Sequence, residues 1–174
     1  MESWPMKEQI FSLACAALFA ACAYESQAKG DTKNWRPLSQ EELTKQQWRS
    51  ASKTGFASVS LDVNGDRVPD KATLVVSGDA KQSGIELCYG ANSKSEAAVC
   101  TIIAAEENAA EVMGLEKKKP GCYEYNEDEA GISSNGKKAC SRNDILEYFR
   151  FGSAGSFFIY DRESNAFKRY WDSD

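Results

Sequence analysis

Between Asp62 and Asp70 the sequence DVNGDRVPD sets oxygen-bearing side chains at every second position, Asp62, Asn64 and Asp66, and adds Asp70 four residues later. Alternate residues of a tight loop turn toward a common centre, and the carbonyl of Val68 falls at the seventh position of the same series. Hard Ca2+ takes six to eight oxygens at about 2.3–2.6 Å, so this is the composition of a calcium loop, with Asp62, Asn64, Asp66, Val68 and Asp70 as its ligands. The competing reading is an Asx-rich turn in which Asp62 and Asn64 bond their own backbone and no ion binds.

An EF-hand would carry glycine at the sixth position, glutamate at the twelfth and a helix on each side; here those positions hold Arg67 and Thr73, between strand-like flanks. The D-x-N-G-D-x-x-x-D pattern between two strands instead resembles the calcium loops of FG-GAP and VCBS-type β-repeats, whose usual form is close to D-x-N-G-D-G-x-x-D. The resemblance implies a structural ion that holds two strands together. Arg67 departs from it at a position that usually takes a left-handed backbone, where a residue with a Cβ costs on the order of 1 kcal/mol. Propeller blades of this kind need roughly 40–50 residues each and several copies, so the chain has the loop without the array. EYNEDEAG, Glu124 to Gly131, alternates oxygens but lacks the final aspartate and reads as a solvated loop. The start at Trp35 to Leu38, taken with this loop and the ending FGSAGSFFIYDRESNAFKRYWDSD, also resembles small exported bacterial proteins, a likeness that implies no particular activity.

Other chemistry is mostly excluded. The chain contains no histidine, which removes Ser-His-Asp and Cys-His nucleophiles, histidine metal sites and the commonest general base. Ser-x-x-Lys occurs at Ser26/Lys29, Ser50/Lys53 and Ser134/Lys137, without the companion motifs that would give it meaning. Glu106 and Glu107 are neighbours and point to opposite faces of a strand, so they cannot act as a glycosidase pair. A net charge of −5 and a pI near 5.0 leave no basic footprint for nucleic acid. The chain reads as a non-enzyme, with a hydrolase working through carboxylates alone as the weakest alternative.

These residues need elements to hold them. Lys7 precedes IFSLACAALFAACA, Ile10 to Ala23, an apolar run of signal-peptide size that falls short of the roughly 20 residues a spanning helix needs. The expected organisation is a signal peptide at 1–23, a flexible leader at 24–36 and one β-rich domain at 37–174. LFAAC, Leu18 to Cys22, resembles a bacterial lipoprotein box, and on that reading Cys22 carries a lipid that is the chain's sole link to a membrane. The plain alternative is a cysteine inside the signal. Cys88, Cys100, Cys122 and Cys140 remain, an even number bound for an oxidising compartment, so two disulfides are expected. GIELCYG and EAAVCTII read as successive strands, which favours pairing Cys88 with Cys100 and Cys122 with Cys140.

After Pro37, Ser39 and Glu42 stand at capping-box spacing and open one short helix. From Gly55 onward, alternating and β-branched runs separated by Gly, Asn and Ser read as strands, and the last three form a meander. AAEENAAEVMGLEKKK fits a strand or a helical turn. The fold class is mainly β (α+β): an antiparallel sheet or meander with one short N-terminal helix and two disulfides.

The last third is rich in aromatics. Most of them pack a core, but Phe157 and Phe158 must point to opposite faces, so Phe158 with Tyr160 and Tyr170 forms the expected partner surface. The resulting expectation is a periplasmic or secreted envelope protein, stabilised by Ca2+, that binds a protein or a cell-wall glycan. Its alternative is a periplasmic immunity or inhibitor protein capping a toxin or hydrolase, which small size, acidity and export permit.

Overall fold

The computed structural model describes residues 34–91, 98–107, 109–126, 136–153 and 155–172. The expected signal peptide, Cys22 and most of the leader lie outside the described residues. Where the leader was expected to run to residue 36, Trp35–Pro37 forms strand β1, paired antiparallel with the end of β3. Trp35 is drawn in because its ring lies against Gly84, 3.2 Å from where a Cβ there would sit, so the ordered domain begins before Pro37.

The short helix, α1 at Gln40–Thr44, starts as its sequence dictates. The Ser39 side chain accepts from the Glu42 N–H and the Glu42 carboxylate accepts from the Ser39 N–H. Arg36 grips the same carboxylate with both guanidinium nitrogens at 2.8 and 2.9 Å, and this pair with the Ser39 N–H holds the Glu42 carboxyl down at about 2. A 3₁₀ turn at Gln47–Ala51 follows.

The rest is antiparallel sheet. Strands β2 (Ser58–Leu61), β3 (Asp70–Ser77), β4 (Gln82–Cys88) and β5 (Cys100–Glu107) join β1 in one sheet of order β1-β3-β4-β5, with β2 also paired to β3. Strands β6 (Met113–Lys118), β7 (Gly121–Asn126), β8 (Lys138–Ser141), β9 (Ile145–Arg150), β10 (Gly155–Asp161) and β11 (Ala166–Asp172) form the second, ordered β6-β9-β10-β11-β7-β8. The segment that fitted either strand or helical turn divides: a turn after Ala109 and then β6. The expected final meander is β9-β10-β11.

The two sheets face each other across one core, Leu61, Leu74, Ile85, Leu87 and Ile103 from the first against Leu115, Leu146, Tyr148 and Phe158 from the second. A half-buried ion pair also spans them, Arg169 Nη2 to Glu106 Oε1 at 2.6 Å, while Arg169 Nε donates to the buried Ser156 hydroxyl. The β7–β8 hairpin folds over the opposite face of the second sheet, where Tyr123, Tyr125 and Ala139 cover Ile145, Phe157 and Tyr170.

Both disulfides form with the expected pairing. Cys88 and Cys100 are direct partners across β4 and β5, and Cys122 and Cys140 across β7 and β8, so each clamps one hairpin. Cys122→Ser should lower stability by about 2–4 kcal/mol, measured by urea unfolding, because the bridge removes loop freedom from the unfolded chain. An unchanged unfolding midpoint would show that the β7–β8 hairpin closes as well without it.

Candidate functional site

The Asp62–Asp70 loop joins β2 to β3 as a nested series of turns. Asp62 accepts the Gly65 N–H at 2.7 Å and the Arg67 N–H at 3.0 Å, Asn64 Oδ1 accepts the Asp66 N–H, and Asp66 Oδ1 accepts the Val68 N–H at 2.7 Å. Gly65 and Arg67 take φ values of 74° and 69°, so the sixth position is left-handed as the loop pattern requires, although it is an arginine. Asp70 is 1% exposed, and its two oxygens accept from Val63 N–H at 3.0 Å and Gly90 N–H at 2.9 Å. It thus ties the loop to the exit of β4. A Cβ at Gly90 would collide with Val68 and the Pro69 carbonyl, which is why the chain there is glycine.

For a cation, the donors are of the right hardness, and each oxygen keeps a lone pair beyond its backbone bond. Among the described residues, three or more metal-ligating side chains bring donor atoms within 4.8 Å of one another only at Glu86, Cys88 and Cys100, where both sulfurs are spent in a disulfide. Asp62, Asp66 and Asp70 therefore do not converge as placed. Asp70 is held in the core by two N–H groups, so the residues that would hold Ca2+ are Asp62, Asn64, Asp66 and the Val68 carbonyl, once their side chains turn from the loop.

The loop is docked onto the turn between β8 and β9. Asp62 and Asp144 exchange two bonds, Asp62 N–H to the Asp144 carboxylate at 3.0 Å and Asp144 N–H to the Asp62 carbonyl at 3.1 Å. Asn143 Nδ2 donates to the Val63 carbonyl and Arg162 to the Asn64 carbonyl.

The expected aromatic surface is not assembled. Phe158 is 2% exposed and belongs to the core between the sheets. Tyr160 packs on Phe167 in that same core, whereas Tyr170 lies on the opposite face, stacked on Phe157 at 5.4 Å beneath the hairpin. The alternation argument was sound, but both faces of β10 are covered, so Phe157 and Phe158 are buried alike.

Another set of rings reaches the surface. Phe151, 56% exposed, stacks on Trp48 at 4.8 Å with 10° between ring planes. Behind them Phe56 stacks on Trp48 at 5.6 Å, and Phe149 meets Trp48 and Phe56 edge-on at 6.0 and 5.4 Å. Phe149 lies across Gly114, where any Cβ would strike its ring. Trp48 is fixed from its other neighbour: the Arg49 guanidinium sits 4.3 Å from its ring centre and donates to the carbonyls of Gly55, Ala110 and Met113 at 2.8, 2.6 and 2.9 Å. The sequence carried one signal for this cluster, Phe149 and Phe151 at strand alternation. It carried none for Trp48, which reads as part of a thin helix face.

The chain matches no family model, and no curated protein or solved structure matches it.

Burial pushes the Asp70 carboxyl upward, against the two N–H bonds that favour its charge, and Asp66 and Asp62 add to the rise. A group raised on folding contributes stability that is complete below its unfolded pKa, about 3.9, and is lost as pH rises through the folded value. Asp70→Asn offers one acceptor where two N–H groups need one each, so it should lower stability by about 1–3 kcal/mol at neutral pH. The deficit relative to the parent should widen on acidification through the folded pKa, as followed by denaturant titration at several pH values. A variant as stable as the parent throughout would mean that Asp70 anchors nothing.

Proposed function

We propose that this chain is a non-catalytic exported domain that binds a cell-wall glycan on the Trp48–Phe151 ring pair, with the Asp62–Asp70 loop as a structural Ca2+ site. The observation that carries the reading is Phe151, a large apolar ring left more than half exposed yet held parallel to a second ring. Singly exposed apolar residues are ordinary, but a ring stacked on a second and supported by two more is held rigidly where water solvates it poorly. One face of a sugar ring presents a row of C–H groups, which suits the electron-rich face of an aromatic ring, while the sugar hydroxyls stay solvated at the rim. Rigid support lowers the ordering cost of binding, and here it comes from Phe56, Phe149 and the Arg49 clamp. The absence of histidine favours recognition over turnover.

Support for Ca2+ comes from the oxygen donor set and the left-handed Arg67. Because its carboxylates do not converge as placed and the loop must rearrange to bind, the ion should bind in the range of extracellular modules, about 10⁻⁴–10⁻³ M.

Two measurements test these readings separately. The purified chain should co-sediment with insoluble peptidoglycan or another wall polysaccharide, and Phe151→Ala should weaken that binding by about tenfold while the domain stays folded, its melting temperature lowered only by the loss of the stack on Trp48. No sedimentation by the parent, or equal binding by the variant, would dismiss the glycan surface. For the loop, millimolar Ca2+ should raise the melting temperature and chelator should reverse it. Asp66→Ala should remove the increment and Arg67→Gly should enlarge it, since glycine takes the left-handed backbone without strain. A parent indifferent to Ca2+ in calorimetric titration leaves the loop as a set of Asx turns.

A further inference from the structure

At the opposite end of β9 from Phe151, the β8–β9 and β10–β11 turns line a cleft of about 330 Å³ that includes Arg142, Asn143, Tyr160 and Arg162. Its floor is rigid. The Cys122–Cys140 bridge fixes the end of β8, the Ser141 hydroxyl both donates to the Asn143 carbonyl and accepts its N–H, and Asn143 Nδ2 is spent on Val63. What remains unsatisfied is basic. Arg142 makes no ion pair, hydrogen bond or ring contact among the described residues, and Arg162 gives one nitrogen to the Asn64 carbonyl and has no carboxylate partner among them.

Of the acids next to them in the chain, Asp144 and Asp161 are already engaged, and the Glu163 carboxylate pairs with neither arginine. Asp144 accepts from the Asp62 N–H and pairs with Lys117 at 3.4 Å, and Asp161 accepts from the Ser164 hydroxyl and the Glu163 N–H. Two other arginines, Arg36 with Glu42 and Arg169 with Glu106, do meet carboxylates. A guanidinium offers five donors in a planar fork that matches a carboxylate or phosphate two bonds at a time.

We propose that this cleft binds an oxyanion, a carboxylate or phosphate carried by a ligand, between the guanidinium groups of Arg142 and Arg162. The site is independent of the ring pair, from which it is separated by the length of β9. It is coupled to the Asp62–Asp70 loop, since Arg162 and Asn143 hold the loop's own carbonyls and a Cβ on Gly65 would press on both side chains.

The test is calorimetric titration of the full chain with inorganic phosphate and, separately, with glucuronate, at fixed ionic strength with chloride as the balancing ion. Saturable binding of at least one anion, weakening as salt is raised, is expected. Phosphate alone would assign a phosphorylated ligand, and glucuronate a carboxylated one. Arg142→Ala should weaken binding about tenfold, and Arg142→Lys should fall between, keeping the charge but losing the fork. Because Arg142 is exposed and has no partner among the described residues, its variants should melt with the parent. The proposal is overturned if neither anion binds saturably at tens of millimolar, or if a folded Arg142→Ala binds as tightly as the parent.

Discussion

A buried arginine with no carboxylate beside it organises one end of this protein. Arg49 is 2% exposed, and its two terminal nitrogens donate to three backbone carbonyls, from the turn before β2, the turn before β6 and the first residue of β6, while its buried Nε has no partner among the described residues. Those strands belong to different sheets, so one side chain fixes how the sheets meet and where the 3₁₀ turn lies on them. Burial pulls the Arg49 pKa down without removing its charge, because the ordinary value lies so far above neutrality. Removing the guanidinium would leave three carbonyls facing a void and release Trp48 from above. The Phe56–Leu115 backbone bond at 2.7 Å closes the same junction, with Phe56 held at a φ of 55°.

At the other end Asp70 plays the complementary part. It is an acid buried in the core and satisfied by two N–H groups, and it binds the loop after β2 to the exit of β4. Between these two anchors lies a sandwich of ordinary construction, with hairpins clamped by disulfides and a Glu106–Arg169 pair crossing the sheets at the side. Each anchor converts a costly buried charge into a geometric constraint on backbone that would otherwise be free to shift.

In the reading proposed above, function falls to what the anchors leave on the outside. Arg49 presents the ring pair at one end, and the docked loop with the β8–β9 turn presents basic groups at the other. Both are rigid surfaces rather than enclosed cavities, which suits the recognition of an extended ligand. Strand β9 runs between them, and β10, covered on both faces over Phe157 and Phe158, contributes Ile159 and Tyr160 to the cleft.

The sequence alone determined what local chemistry can determine. The capping box at Ser39 and Glu42 starts a helix because both groups lie within three residues, and alternation with turn residues makes strands wherever one face is to be buried. Even cysteines in adjacent strands pair across them, and a left-handed sixth position follows from the turn itself. Tertiary structure decided everything that depends on what covers a face. Trp35 joined a sheet because Gly84 left room for its ring, and Met113–Lys118 became a strand because β9 offered an edge. Phe158 was buried because the first sheet covers its face, Phe157 because the β7–β8 hairpin covers the other, and Phe151 was left exposed because it lies past the end of β9, beyond both. A strand's alternation tells which residues share a face, but whether that face meets water depends on segments distant in the chain.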